Sequence, residues 1–156
     1  MNKVVIAMDY HPRAQKVAEA GFSLAKNMRA KAILLHVISD PVYYSSVQYT
    51  PITGFAGFMD TDPLLLASED GLRKASEHFL EKAKHHLADE TIEILVKDGD
   101  PAEAILKAAK ELHVDIIAMG THSRKWLENI IMGSVTEKIL HHTSIPMFII
   151  PMREHH

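Results

Sequence analysis

Short continuous apolar runs alternate along this chain with stretches of helical period. Lys3 to Met8 is a β-branched run closed by Asp9, the pattern of a strand buried on both faces. From Pro12 onward, Ala14, Val17, Ala18, Gly21, Leu24, Ala25 and Met28 recur at helical spacing, and Pro12 suits a first turn, where a missing N–H costs nothing. Ala32 to Val37 is a second apolar run, stopped by Ser39, Asp40 and Pro41. A helix between two such strands predicts a parallel pair with a right-handed crossover. Leu72, Ala75, Phe79, Ala83 and Leu87 then mark a second helix with Glu and Lys on its other side. Thr91 to Lys97 places Ile92, Ile94 and Val96 around polar positions, as an edge strand would.

The second half repeats the alternation with clearer punctuation. Asp100, Pro101 and Glu103 form a capping-box start, followed by a buried face of Ala104, Ile105, Ala108, Ala109 and Leu112. Val114 to Met119 is the fourth strand and Pro146 to Ile150 the fifth, with a helix from Ser134 to His142 between them. Ser134 and Glu137 have the spacing of a second capping box, so this helix turns its anion-friendly end back toward Gly120. Together these elements predict an α/β fold with a parallel sheet and helices on both faces. Ligands of such sheets bind beyond the strand C-termini, where Asp9, Val37 and Gly120 share one rim.

One segment fits neither period. Pro41 to Pro63 holds Tyr43, Tyr44, Tyr49, Phe55 and Phe58 with no Lys or Arg, and it reads as a long loop or insertion, bounded at most by 40 and 66. Its aromatics either cover exposed core or form a flap over a ligand or a dimer contact.

Composition narrows the function. With 156 residues, one domain over 1–152 is expected, and the tail 153–156 ends in His155 and His156 in the manner of a purification tag. Charged residues at 24% and apolar ones at 47% describe a soluble globular chain, without a run long enough for a membrane span, and the cytoplasm is the expected compartment. Zero cysteines exclude disulfides and thiolate sites, and a net charge of −3 argues against nucleic-acid binding. The eleven histidines invite a metal reading, but neighbours such as His85 and His86 point about 100° apart on a helix, so a solvated face is expected and no metal ligand is assigned.

The remaining signal is the stretch from Val114 to Leu140, where a strand empties through Gly120 into a basic loop and a second glycine, Gly133, precedes Ser134. Glycine lets the backbone approach a phosphate, and a helix end offers N–H groups to hold it. Taken singly, Gly120 and Gly133 are ordinary turn residues, Ser134 an ordinary cap and Asp9 an ordinary strand end.

Several blocks carry a resemblance beyond these local readings: VVIAMD, LLHVISD, DGDPAEAILKAAKELHVDIIAMGTH and GSVTEKILHHTSIPMFIIP. In this order they resemble the universal stress protein family across nearly the whole chain. The resemblance implies a three-layer Rossmann-like sandwich of the adenine nucleotide alpha hydrolase type, with a five-stranded parallel sheet in order 3-2-1-4-5 and four helices. It also implies that ATP or another adenine nucleotide binds at the rim with a divalent ion such as Mg2+. By the family's motif the nucleotide-binding positions are Asp9, Val37, Met119, Gly120, His122, Ser123, Arg124, Gly133, Ser134 and Val135. The family's loop runs Gly, two residues, Gly, nine residues, Gly and Ser or Thr; here Ser123 replaces the second glycine. A side chain there costs about 1 kcal/mol or more if positive φ is needed, or else lends a hydroxyl to a phosphate. Tyr10 and His11 also replace the Gly-Ser that commonly follows the strand-ending Asp.

A homodimer through the last strand, Pro146 to Pro151, is likewise implied, with a role in stress response or signalling. The alternatives are a nucleotide-free dimer acting through its surface and a slow ATPase. No nucleophile and base are fixed together by a motif, so no catalytic residue is assigned.

Overall fold

In the computed structural model, residues 2–9, 14–38, 69–121 and 134–151 are described. They form β1 (Lys3–Ala7), α1 (Ala14–Asn27), β2 (Lys31–Ile38), α2 (Glu69–Leu87), β3 (Glu93–Asp98), α3 (Pro101–Glu111), β4 (Ile116–Gly120), α4 (Ser134–His142) and β5 (Met147–Ile150). The aromatic segment 41–63 lies outside the described residues. The five strands pair in the order β3-β2-β1-β4-β5, all parallel, as the resemblance implied.

Strand parity divides the interior into two layers. Val4 and Ile6 of the first strand, and Met8 just past it, point with Leu34 and Ile38 toward α1 and α2, into a cluster that includes Val17, Ala18, Leu72, Phe79 and Leu80. Val5 and Ala7 point the other way with Ile33, Leu35, Ile117 and Met119, toward Ala102, Ile105, Ala109 and Ile139 of α3 and α4. Burial on both faces is why β1, β2 and β4 are continuous apolar runs without alternation. Burying one such side chain contributes about 1.5–3 kcal/mol, so this central slab dominates the fold's stability.

Gly21 sets how closely α1 approaches the sheet. A Cβ there would stand 2.8 Å from Ile6 Cγ1, inside the contact limit of two carbons. Opposite it on the sheet, α3 starts as its sequence predicts: the Asp100 carboxylate accepts from the Glu103 N–H at 3.0 Å, with Pro101 at the first position. His86 is exposed, as expected of a solvated face, and from there ties α2 to α1, lying 2.8 Å from Glu19 Oε1 and 3.1 Å from Gln15 Nε2. That hydrogen bond from His86, followed by one from Gln15, holds the Glu19 carboxyl below its usual range.

Candidate functional site

Register assembles the rim. The last β1–β2 pair is Ala7↔Leu35, so continuing two residues sets Asp9 level with Val37; on the other side Ile6↔Ala118 continues to Met8 opposite Gly120, one residue before Asp9. Asp9 is exposed just past the end of β1, Val37 and Gly120 are half-buried, and Met119 is buried. Val37, Met119 and Val135 join one apolar cluster on the α3–α4 face, while Ser134 opens α4 exposed. Apolar floor, carboxylate and helix start therefore converge at the C-terminal ends of β1, β2 and β4. His122, Ser123, Arg124 and Gly133 lie outside the described residues, as does Trp126.

The two ends of the chain segment that contains them are anchored. Thr121 donates its N–H to the Ile150 carbonyl at 3.0 Å, which holds the exit of β4 against β5. Thr136, in the first turn of α4, donates its hydroxyl to the Gly120 carbonyl at 2.9 Å. Thr136 is only 2% exposed, so this bond forms away from competing water. Sequence reasoning passed over Thr136, although a polar residue on the buried side of a short helix is a readable signal.

A second overlooked residue is His36, one position before Val37. The residue is only 2% exposed, and its Nδ1 lies 2.8 Å from the Met8 carbonyl. Burial pushes its pKa down, against the opposing pull of the Met8 carbonyl and the Asp9 charge. The signal for it was a lone imidazole inside the run AILLHV.

Acidic groups elsewhere on the rim have other partners. Asp98, at the end of the edge strand β3, pairs with Arg73, whose other nitrogen reaches the Val96 carbonyl at 3.4 Å. Among the described residues no group of three or more His, Asp or Glu side chains is arranged to hold a metal ion. Nor is any described helix long and apolar enough to cross a membrane.

A five-stranded parallel sheet in this order, with helices on both faces, defines a Rossmann-like α/β protein. The sequence pattern of the universal stress protein family matches residues 1–151, and the chain belongs to that family. Universal stress protein YxiE of Bacillus subtilis is 28% identical over 96% of this chain and 98% of its own. The solved structure of protein MJ0577, which is a universal stress protein of Methanocaldococcus jannaschii, superposes with a TM-score of 0.70 at 24% identity, covering 99% of this chain and 98% of the other. A universal stress protein family member from Arabidopsis thaliana, solved with AMP bound, superposes with a TM-score of 0.59 at 20% identity, over 98% and 93% of the two chains.

Proposed function

We propose that this protein binds an adenine nucleotide, ATP in particular, at the rim formed by Asp9, Val37, Met119, Gly120 and the start of α4, and acts through its bound state in a stress response. The observation that carries this reading is the convergence of Asp9, the Val37–Met119–Val135 floor and the first turn of α4. Each part has a chemistry that suits one part of the ligand. A carboxylate accepts from ribose hydroxyls, an apolar floor covers a purine face, and a helix start with glycine-flanked backbone receives phosphate. Gly120, His122, Ser123, Arg124, Gly133 and Ser134 are assigned to the phosphates. Arg124 supplies positive charge, and Ser123 a hydroxyl donor, where the family has glycine. The AMP-bound relative supports the choice of an adenine nucleotide. A Mg2+ ion, if the ligand carries one, belongs to its phosphates, since the described acidic residues build no cage of their own.

The same reading makes the protein a cytoplasmic homodimer. β5 is a sheet edge whose Met147, Phe148 and Ile149 are only half-buried, and pairing Pro146 to Pro151 across a two-fold axis would cover them. A nucleotide-free dimer acting through its surface is the second reading, favoured by Ser123 in the glycine position.

Calorimetric titration of the stripped protein with Mg-ATP decides between them. Binding that Gly133→Val abolishes is the expected result; no heat and no thermal shift at millimolar ATP would leave the nucleotide-free reading. Mass spectrometry of ligand retained through gentle purification identifies the nucleotide. Phosphate release above that of the Gly133→Val variant would mark an ATPase instead. Light scattering after size exclusion reports the dimer.

A further inference from the structure

The backbone carbonyl of Met8 is a hydrogen-bonding group that leads directly into Asp9. Met8 donates its own N–H to the Leu35 carbonyl at 2.8 Å, one residue past the last β1–β2 register pair. At its carbonyl the partner is a side chain, the buried Nδ1 of His36 at 2.8 Å. A carbonyl oxygen only accepts, so Nδ1 carries the proton and donates, which specifies the Nδ1–H tautomer. The ring has little freedom to leave. Phe79 of α2, fully buried, meets it edge-on with centroids 5.8 Å apart and planes at 71°.

Peptide planarity carries the constraint one residue further. The Met8 carbonyl and the Asp9 N–H belong to one rigid unit and point in opposite directions. With the carbonyl fixed toward β2, the Asp9 N–H is directed toward β4, the other neighbour of β1. The Cα of Asp9, and the direction in which its carboxylate leaves the sheet, follow from that plane.

We infer that His36 is a positioning residue for Asp9: its neutral imidazole locks the Met8–Asp9 peptide plane, so that the Asp9 carboxylate meets a vicinal diol, such as that of a ribose, at a fixed height on the rim. The inference deepens the nucleotide reading and rests on it for the identity of the diol. The locking itself is a property of the protein alone. His36 touches no ligand and works from the opposite side of the sheet, because Met8 and His36 face α2 while Val37 faces α3.

Two substitutions separate positioning from bulk stability. Asn at position 36 places an amide N–H near the site of Nδ1, whereas Leu keeps volume and removes the donor. The first readout is nitrogen-edited NMR of the imidazole in the unliganded protein at neutral pH. The expected pattern is a protonated Nδ1 beside a bare Nε2; a doubly protonated ring or the Nε2–H tautomer overturns the inference. The second is the chemical shift of the Asp9 amide and carboxyl carbon. His36→Leu is expected to displace both and His36→Asn to restore them toward the wild-type values. Equal displacement in the two variants, or none in either, overturns it.

The third readout is discrimination between ATP and 2′,3′-dideoxy-ATP. In the wild type the diol is expected to strengthen binding by about tenfold, as a charge-assisted hydrogen bond does. That preference falls toward one in His36→Leu and survives in His36→Asn. A loss of affinity that is the same for both nucleotides in His36→Leu would assign His36 a structural role only, and so overturn the inference. If neither nucleotide binds the wild type, the nucleotide reading fails while the tautomer and Asp9 shifts still decide the positioning.

Discussion

Helices α3 and α4 pack side by side on one face of the sheet and start at the same rim, yet their first turns are built in opposite ways. α3 begins with its own anion: Asp100 accepts from the Glu103 N–H at 3.0 Å, and Pro101 removes one donor from the same turn. Lys138 of α4 adds a counter-charge 3.4 Å from the Asp100 carboxylate. α4 begins with neutral residues, Ser134 and Val135, and its first carboxylate, Glu137, lies 3.8 Å from His141 on the helix surface. Its Thr136 hydroxyl turns back to the Gly120 carbonyl. A carboxylate that caps a helix start takes up N–H groups a phosphate would use, as Asp100 does at α3, whereas the first-turn acid of α4, Glu137, lies toward His141. The contrast supports the proposal that phosphate meets the start of α4 rather than that of α3.

Making α4 resemble α3 is the strongest way to break that difference. Ser134→Asp puts a carboxylate where the proposed phosphates sit, and two like charges at contact distance repel strongly in a partly dry site. ATP affinity is expected to fall about tenfold or more. Stability is expected to move the other way, up by about 0.3–1 kcal/mol, because an acid in a first turn complements the helix dipole. Calorimetry and thermal melts in one buffer test both signs. Unchanged affinity would remove the start of α4 from the ligand site.

Removing the tether between α4 and β4 comes next in size. Thr136→Val keeps the shape and deletes the hydroxyl that bonds the Gly120 carbonyl, and losing a buried hydrogen bond costs about 1–3 kcal/mol. Thr136→Ser retains the donor and is expected to recover most of that loss. Urea unfolding measures it; equal midpoints for the Val variant and the wild type would show that the tether contributes nothing.

How much of this was legible follows the physics of each element. β1, β2 and β4 were readable because burial on both faces forces continuous apolar runs, and the parallel order follows from helices between them. Helix ends were harder to read. Arg29, Ala88 and His113 each take φ of 55° just past a helix, a conformation usually signalled by glycine. Backbone closure there is made all the same, with Ala30 N–H to the Ala25 carbonyl at 2.8 Å and Val114 N–H to the Ala109 carbonyl at 3.1 Å. Tertiary closure overrides the residue preference, so no letter in the sequence announces it. At the rim, Asp9, Val37 and Gly120 were placed together by reading strand ends alone. His36 and Thr136 were not, because their partners are backbone carbonyls 28 and 16 residues away. Periodicity assigns a residue to a face but not to the carbonyl it meets there.

The gentlest test removes the charge at the start of α3 while keeping its cap. Asn caps a helix about as well as Asp, so Asp100→Asn preserves the bond to the Glu103 N–H and deletes only the anion. In the folded protein the Asp100 carboxyl is held below its usual range, first by that N–H and then by Lys138. A depressed native pKa means that the unfolded chain takes up the proton first as pH falls. The carboxylate's contribution is therefore present above the unfolded value of about 3.9 and is lost as pH drops through the lower native one. Wild type and Asp100→Asn are expected to differ most in urea midpoint near neutrality, by a small margin because the pair with Lys138 is surface-exposed, and to converge in strong acid. ATP affinity at neutral pH is expected to be the same in both. A weakened or strengthened nucleotide would mean that the charge at α3 reaches the ligand, and the two helix starts would then have to be treated as one electrostatic site.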